Sequence, residues 1–584
     1  MKYDLSVLPE NLKRKDQRDK YAGECVQEIA AGVSARSGLA DRWKKNEDNY
    51  RNINLTGIEL VPGAVPAAIP MVQPMLDRIN GTVFQNITSV DPWVQIEPEM
   101  DDAGVGDAVE RDLQFLMQRA SFPQRLWSAL KITSCTNCAL LRLRYVNTVG
   151  FEIDVVHPGD AVIYPSSASS PSKAKGFGHR FWMTVSQAEA KMKEGEWIEV
   201  DVTGSDDPQQ YDAGRNKQYS KVESGSAQDP KDESIELWEY VRMEDRGAGP
   251  MWYKVVLAYR SMKLLDCRPF GATMTVGDQE QFIPYSAPDY YDLRYDDEYG
   301  IFWPSGSPAQ NLQGIQNFYN DAFNIWYWGH VASAFPAVVI SGGSMGKKLE
   351  KLVPGAIIEN PSPIQAQVVG VQFNGQSFPM IINKLEDIAQ KAVRVNQMAV
   401  GQQLTSHTTE DEVQELSMMQ RQSDDQYIAY ICLGLQKLFA FAYELYRIHH
   451  ADIVNTFGPS IEMLEPERLE SLRFNFTVNG KASSNNPRVL VQKLQMLLSM
   501  AAQPGSTLDY RKIEQAVVRS LQLPFSTSKI SITPEQAAQS LMAAAQGQPL
   551  DGETQSALQG MDPRTMDSVL SQLGGMGANP SMAA

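Results

Sequence analysis

Residues 304–450 carry two helical segments with a β-like stretch between them, and this order limits the available folds more than any other feature. Apolar residues recur every three or four positions, first as Leu312, Ile315, Tyr319, Ala322, Trp326 and Gly329. They recur again as Phe378, Ile381, Leu385, Ile388, Ala392, Val395 and Ala399. Alternating spacings of three and four leave a narrow apolar stripe, suited to helices lying side by side. Between the stripes, residues 337–340, 356–359 and 367–373 read as strands, punctuated by Gly342, Gly343, Gly346, Pro361 and Pro363. The pattern predicts a helical pillar with a β module at its tip. After the second stripe comes a polar run holding Gln402, Gln403, Thr405, Ser406, His407, Thr408 and Thr409. Glu410, Asp411 and Glu412 then open a long helix over residues 413–448, where acidic side chains suit the N-terminal end of the dipole. That helix would be on the order of 50 Å long at ~1.5 Å per residue.

At 584 residues the chain exceeds one core and predicts two to four domains. Hydrophobic residues at 43% and charged residues at 21% are ordinary for a globular protein. The net charge of −17 argues against a protein that grips nucleic acid through its phosphates. It equally disfavours an anionic membrane surface. The first twenty residues are dense in Lys, Arg, Asp and Glu and lack the apolar centre of a signal peptide. No window reads as a membrane span; the nearest, residues 318–340, is interrupted by Asn320, Asp321, Asn324 and His330. Five cysteines, few and odd in number, fit a reducing compartment better than a disulfide framework.

The N-terminal half alternates irregularly between helix and strand signals. Helices are expected over 11–50, 71–87, 107–119 and 123–137, with a Pro/Gly-rich connector at 55–70. Strands are expected at 93–97 and 139–145, as a pair over 151–164 broken at His157-Pro158-Gly159-Asp160, and as a hairpin over 235–243 and 251–259. Residues 203–231, rich in Gly, Ser, Asp and Gln, read as a surface loop. Beyond the long helix, 472–479 alternates as a strand and 487–500 as an amphipathic helix. Thr533-Pro534 and Asp562-Pro563 then mark two helix starts. The last ten residues carry no structural signal. The fold class expected is α+β.

Motifs that could carry chemistry are few. Cys135 and Cys138 form a lone CxxC without the further ligands a zinc site needs, and read as small core residues. The turn Gly342-Gly343-Ser344-Met345-Gly346-Lys347 approaches a phosphate-binding loop. However, it is one residue short, Lys348 stands where a hydroxyl must bind Mg²⁺, and Pro354 cuts off any following helix. His449-His450 closes a helix, where a cationic ring is favourable. Asp296-Asp297 and Asp424-Asp425 read as solvated faces, and no GxSxG elbow is present. The aromatic run Phe318, Tyr319, Phe323, Trp326, Tyr327 and Trp328 lacks interleaved Lys or Arg and reads as a belt buried between helices. No catalytic residue, metal or cofactor is expected.

Several local patterns, in order along the chain, resemble the portal (head-to-tail connector) proteins of tailed bacteriophages, most of all those of short-tailed phages. They include Arg42-Trp43 through Tyr50-Arg51, the helix-to-strand passage over 130–145, and the turn Val156-His157-Pro158-Gly159-Asp160, similar to a D-P-x-D turn. Met183-Thr184 before a short helix, Glu239 in its strand, and Gln316-Asn317 in the first pillar helix complete the set. Cys138 stands where the family pattern has glycine. The resemblance implies a multidomain portal fold assembled as a non-enzymatic ring, typically of about twelve subunits. On this chain it implies a wing (1–303), stem helices (304–333 and 377–400), a β clip (334–376) and a tunnel loop (401–411). A long wing helix with a returning strand (412–489), a helical crown (490–574) and a disordered tail (575–584) would follow.

In the same family terms, residues Gln402 to Thr409 of the tunnel loop would face double-stranded DNA without sequence preference. Lys347, Lys348 and Lys351 would meet partners at the clip. Leu312, Ile315, Tyr319, Trp326, Phe378, Ile381, Leu385, Ile388 and Val395 would pack the stem. The implied partners are further copies of the chain, capsid and scaffolding proteins, the large terminase subunit and a tail or neck adaptor, with no membrane. The implied location is the portal vertex of the virion, after synthesis in the host cytoplasm. Two alternatives stay open: another neck or tail ring protein, and a nucleotide-driven motor built around the glycine turn.

Overall fold

A computed structural model describes residues 8–53, 66–89, 92–98, 103–202, 234–246, 249–276, 279–296, 306–334, 337–341, 357–360, 367–369, 378–393, 410–458 and 474–478, with a few short pieces and single positions besides. The chain divides into two units, Met1–Ser483 and Ser484–Ala584. The described residues lie almost wholly in the first. The expected surface loop over 203–231, Lys347, Lys348, Lys351, Val395, Gln402 to Thr409 and the expected crown fall outside them.

Helices α1 (Lys15–Ala35), α2 (Ser37–Tyr50) and α3 (Val72–Thr88) lead into strand β1 (Val94–Pro98). Then come α4 (Ala103–Arg119), α5 (Phe122–Thr136), β2 (Ala139–Val146), β3 (Gly150–Val156), β4 (Ala161–Tyr164), β5 (Gly176–Thr184) and α6 (Val185–Glu194). Six antiparallel strands follow: β6 (Ser234–Asp245), β7 (Pro250–Ala258), β8 (Lys263–Pro269), β9 (Gly271–Val276), β10 (Gln279–Pro284) and β11 (Tyr290–Leu293). The pillar is α7 (Pro308–Ala334), then β12 (Ala337–Ser341), β13 (Ile357–Asn360), β14 (Gln367–Val369) and α8 (Phe378–Ala392). Helix α9 (Glu410–Ile448), α10 (His450–Phe457) and β15 (Phe474–Val478) close the described part. The architecture is α+β.

Local chemistry accounts for many of these boundaries. Thr184 accepts from the Gln187 amide while the Gln187 side chain accepts from the Thr184 amide, a reciprocal cap that starts α6. In α3 the spacing of Met75, Leu76, Ile79, Val83 and Ile87 puts all five in the core. The same core takes Ile428, Ile431, Leu435, Leu438, Ala442 and Leu445 from α9.

The largest sheet runs β4-β5-β6-β7-β8; β11-β2-β3 form a second, and β1 pairs with β15. The expected β pair over 151–164 is corrected by this topology. β3 pairs with β2 while β4 pairs with β5, so the two segments belong to different sheets. The reason is the 3₁₀ turn Pro158–Asp160, stabilised as His157 Nδ1 accepts the Gly159 amide at 2.9 Å, which hands the chain from one sheet to the next.

Two further expectations change. The segment Asp425–Ile448 is long and apolar enough to cross a membrane, with mean hydropathy 1.3, although no such window was expected. Sixty-one per cent of its qualifying 18-residue window is buried inside the protein, as befits a core helix. His449 does not close α9 as a cation. Its ring stacks on Tyr145 with centroids 3.9 Å apart, and burial lowers its pKa to about 4, so it is neutral near pH 7.

Candidate functional site

Helices α7 and α8 form an antiparallel hairpin that carries the three-stranded sheet β13-β12-β14 between them. Strand β12 is central, parallel to β13 and antiparallel to β14. Contacts run in opposite directions along the two helices: Tyr319 hydrogen-bonds Glu386, Trp326 stacks on Phe378 at 4.7 Å, and His330 meets Phe373 at 5.3 Å. Gly329 makes the last approach possible, because a Cβ there would lie 2.6 Å from the Phe373 ring.

The face of α7 turned into the protein is polar. Gln316, Asn320 and Asn324 are all fully buried, at 0% exposure. Their side chains bind the backbone of the extended arm 66–71. Asn324 Oδ1 accepts the Ala67 amide at 2.7 Å and its Nδ2 donates to the Ala67 carbonyl at 2.8 Å. Asn320 Oδ1 accepts the Ile69 amide at 3.1 Å. Gln316 Nε2 donates to the Ile69 carbonyl at 2.8 Å, and its Oε1 accepts the Met71 and Val72 amides at 3.0 and 3.1 Å. Four helical residues rise about 6 Å, and two extended residues advance about 6.4–6.8 Å. Carboxamides spaced by four therefore match alternate arm residues, and the helix serves the arm as a neighbouring strand would.

This ladder corrects the expectation of an aromatic belt buried throughout. Tyr319, Phe323 and Trp326 face α8, but Phe318 is 56% and Tyr327 44% exposed. The buried side that a belt would need is taken by the carboxamides. At about 100° per residue, Phe318 and Ile325 lie opposite the ladder. Ile325 is 47% exposed, and on α8 Met380, Ile381 and Ile388 are exposed too. Leu312 and Leu385 are buried, and Ile315 and Tyr319 pack against the core while half-buried. So the predicted stripe divides: part of it packs within the chain and part faces outward. Asp321 is the one Asp, Glu, Lys or Arg in the 27 residues of α7. An exposed helix surface this poor in charge and rich in aromatic and branched side chains has the composition of an interface core.

A second feature lies in the wing. A cleft of about 910 Å³ opens among α5, α6 and strands β2, β3 and β5–β8. Arg142, 3% exposed, donates to both Glu239 oxygens and to Asp289 Oδ2 at 2.8 Å, and Lys254 Nζ lies 2.7 Å from Glu239. Burial alone would raise the Glu239 carboxyl; Arg142 and Lys254 outweigh it and hold the group well below the usual carboxylate range. Around this centre, Arg180 pairs with Asp160 at 2.9 Å, Arg144 with Asp154 at 3.1 Å and Arg268 with Asp266 at 2.8 Å.

His179 Nδ1 lies 2.6 Å from the Tyr290 hydroxyl. Burial keeps Tyr290 protonated, so it donates and the imidazole proton sits on Nε2. Burial first, then the Arg142 charge, lowers the His179 pKa to about 3, against the opposing pull of Glu239 and Asp160. The unfolded chain takes up a proton near pH 6.5 that the folded chain refuses until about pH 3. Stability should therefore be complete above pH 6.5 and drain away as pH falls toward 3. Urea midpoints at pH 7.5, 6 and 5 should fall less for His179→Gln than for the parent chain. Equal falls would sink this assignment.

The remaining sequence candidates are structural. Cys135 and Cys138 are buried free thiols, each pushed up to about 12 by burial. His157 accepts from the Gly159 amide at Nδ1 and meets Glu47 at 2.5 Å through Nε2, so neither nitrogen is open to a substrate. Among the described residues, no cluster of His, Cys, Asp and Glu could hold a metal. The residues that the apolar stripes did not reveal are Gln316, Asn320 and Asn324, although their spacing by four was legible as a face. Arg142 gave no signal, and Glu239 entered only as part of a strand pattern, because their pairing joins strands 97 residues apart. Compared with known proteins, the chain matches no family model and no curated protein at a significant level.

Proposed function

We propose that this chain is the subunit of a bacteriophage portal ring, a conduit through which a genome is packaged and ejected. The observation that carries the reading is the α7–α8 hairpin, which mounts a small β sheet between its helices and, on α7, presents exposed apolar side chains with Asp321 as the one Asp, Glu, Lys or Arg of the helix; the charges of the hairpin sit on α8. Such a surface is costly to leave in water and is satisfied by a neighbouring copy. A patch that meets a different patch on the next copy closes into a ring when the rotation permits. The net charge of −17 suits a wall along which DNA slides, since each neutralised phosphate would add affinity and hold the duplex back. In this reading α7 and α8 are the stem, β12–β14 the clip, and the mixed α+β body together with α9 the wing. The polar run around His407 would line the channel, and Lys347, Lys348 and Lys351 would meet the terminase or a tail adaptor.

Electron micrographs of the purified protein should contain rings with a central hole. Phe318→Glu combined with Ile388→Glu should leave the circular dichroism spectrum unchanged and shift the population to single subunits. Monomers or dimers of the parent chain under all assembly conditions would overturn the reading.

A further inference from the structure

We propose that the wing cleft is an oxyanion site that takes a small phosphate-bearing ligand, whatever the assembly of the chain. Seven of its lining residues are Lys or Arg and five are Asp or Glu, in a chain of net charge −17. Asp289 and Glu152 reach Arg142 and Arg144 from outside the lining, so the pull of the cleft on an anion comes from the cations left uncommitted at its rim. Five of the seven cations are arginines, whose planar forks match phosphate oxygens two at a time.

The cations differ in availability. Arg142 is committed to Glu239 and Asp289 and remains a fixed charge at the buried centre. Arg144, 39% exposed, shares its charge with Glu152 and Asp154 near the surface. Arg125 is exposed, and its side chain makes no hydrogen bond or ion pair among the described residues. Ser128, one turn further along α5, also lines the cleft; its hydroxyl donates to the Gln124 carbonyl at 3.1 Å and would turn from it to meet a ligand. Neutral His179 adds an Nε2–H donor without competing for the anion. A phosphate dianion therefore finds one uncommitted guanidinium, a hydroxyl and a partly shared second arginine beside a permanent buried charge. The resident carboxylates keep affinity modest and salt-sensitive. The same carboxylates and the overall acidity disfavour a long polyanion, so a compact ligand fits better than a nucleic-acid duplex.

Titration calorimetry on the full-length protein in 20 mM and then 200 mM NaCl tests this, using inorganic phosphate, pyrophosphate and a short DNA duplex as separate probes. Saturable binding of phosphate or pyrophosphate is expected at one site per chain, weakening with salt. Losing one charged hydrogen bond and reversing its sign in Arg125→Glu should weaken binding at least about tenfold. Lys45→Glu, exposed on α2 and absent from the cleft lining, should bind as the parent does. Arg125 lies on the surface, so circular dichroism of the variant should match the parent. Absence of saturable binding, or unchanged binding by Arg125→Glu, would overturn the proposal. Binding of the duplex alone would replace the small ligand by a nucleic acid. Because binding is counted per chain, a chain that forms no ring can still pass this test, and a ring can fail it.

Discussion

Replacing Arg142 by methionine is expected to cost the fold about 3–5 kcal/mol, the usual penalty for leaving a buried charge without its partner. Glu239 keeps Lys254 at 2.7 Å, but Asp289 is worse placed. Arg142 meets its Oδ2, while its Oδ1 already lacks a hydrogen-bond partner. The loss should therefore come chiefly from Asp289. It should also depend on pH in a defined direction. In the parent chain the Glu239 pKa is depressed, so its contribution is present above the ordinary carboxylate range and is lost as pH falls through the depressed value. In the variant the stranded carboxylates gain by protonation, so the gap between the two proteins should narrow below about pH 4. Urea unfolding at pH 7 and pH 4 measures both effects. A combined Arg142→Met, Glu239→Leu, Asp289→Leu chain should recover much of the loss, since apolar replacement of a whole buried ion network is often neutral. A single-variant loss below about 1 kcal/mol at pH 7 would show that the network is hydrated and contributes little.

The second large effect is expected at Asn320→Leu. The substitution keeps the approximate size of the side chain but removes the acceptor of the Ile69 amide and of Gln316 Nε2. It also removes the donor to Asn52 Oδ1 at 3.2 Å. Each buried group left without a partner costs about 1–3 kcal/mol, so a loss of about 2–4 kcal/mol is expected. Hydrogen exchange locates it. Amides of Ala67, Ile69 and Met71 should exchange much faster, while those of α4 and β2 keep their protection. Unchanged protection along the arm would mean that the carboxamides are incidental to its position.

These two sites mark where sequence reasoning reached and where it stopped. The helices α3, α5 and α9 announce themselves because each buries one stripe against a single core, and period 3.6 survives in the text of the chain. Thr184 with Gln187 caps α6 within four residues, so that boundary needs no distant partner. Strands β8 to β11 were missed, since short antiparallel strands with mixed faces carry little alternation. The partnership of β3 and β4 was misjudged for a related reason. Sequence proximity suggests a hairpin, but a turn can equally pass the chain between sheets, and only the long-range pairing of β4 with β5 decides it. At the candidate site, the described apolar positions of the hairpin, up to Ala392, are helical as expected, yet Ile381 and Ile388 are exposed where packing was expected. A stripe records that a face is apolar and does not record whose surface covers it.

What the sequence determined by itself is therefore local: the helical hairpin with a strand-rich insertion, the long core helix, the α+β class and an acidity unsuited to gripping a nucleic-acid backbone. The periodicity, caps and charges behind these act within a few turns of chain. Tertiary structure alone decided that the hidden face of α7 is a carboxamide ladder, because an amide side chain earns burial only when a backbone arm 245–257 residues away arrives to satisfy it. It likewise decided the Arg142–Glu239–Asp289 centre, where charges from two strands and the turn before β11 become worth burying only once the sheets have brought them within hydrogen-bond reach.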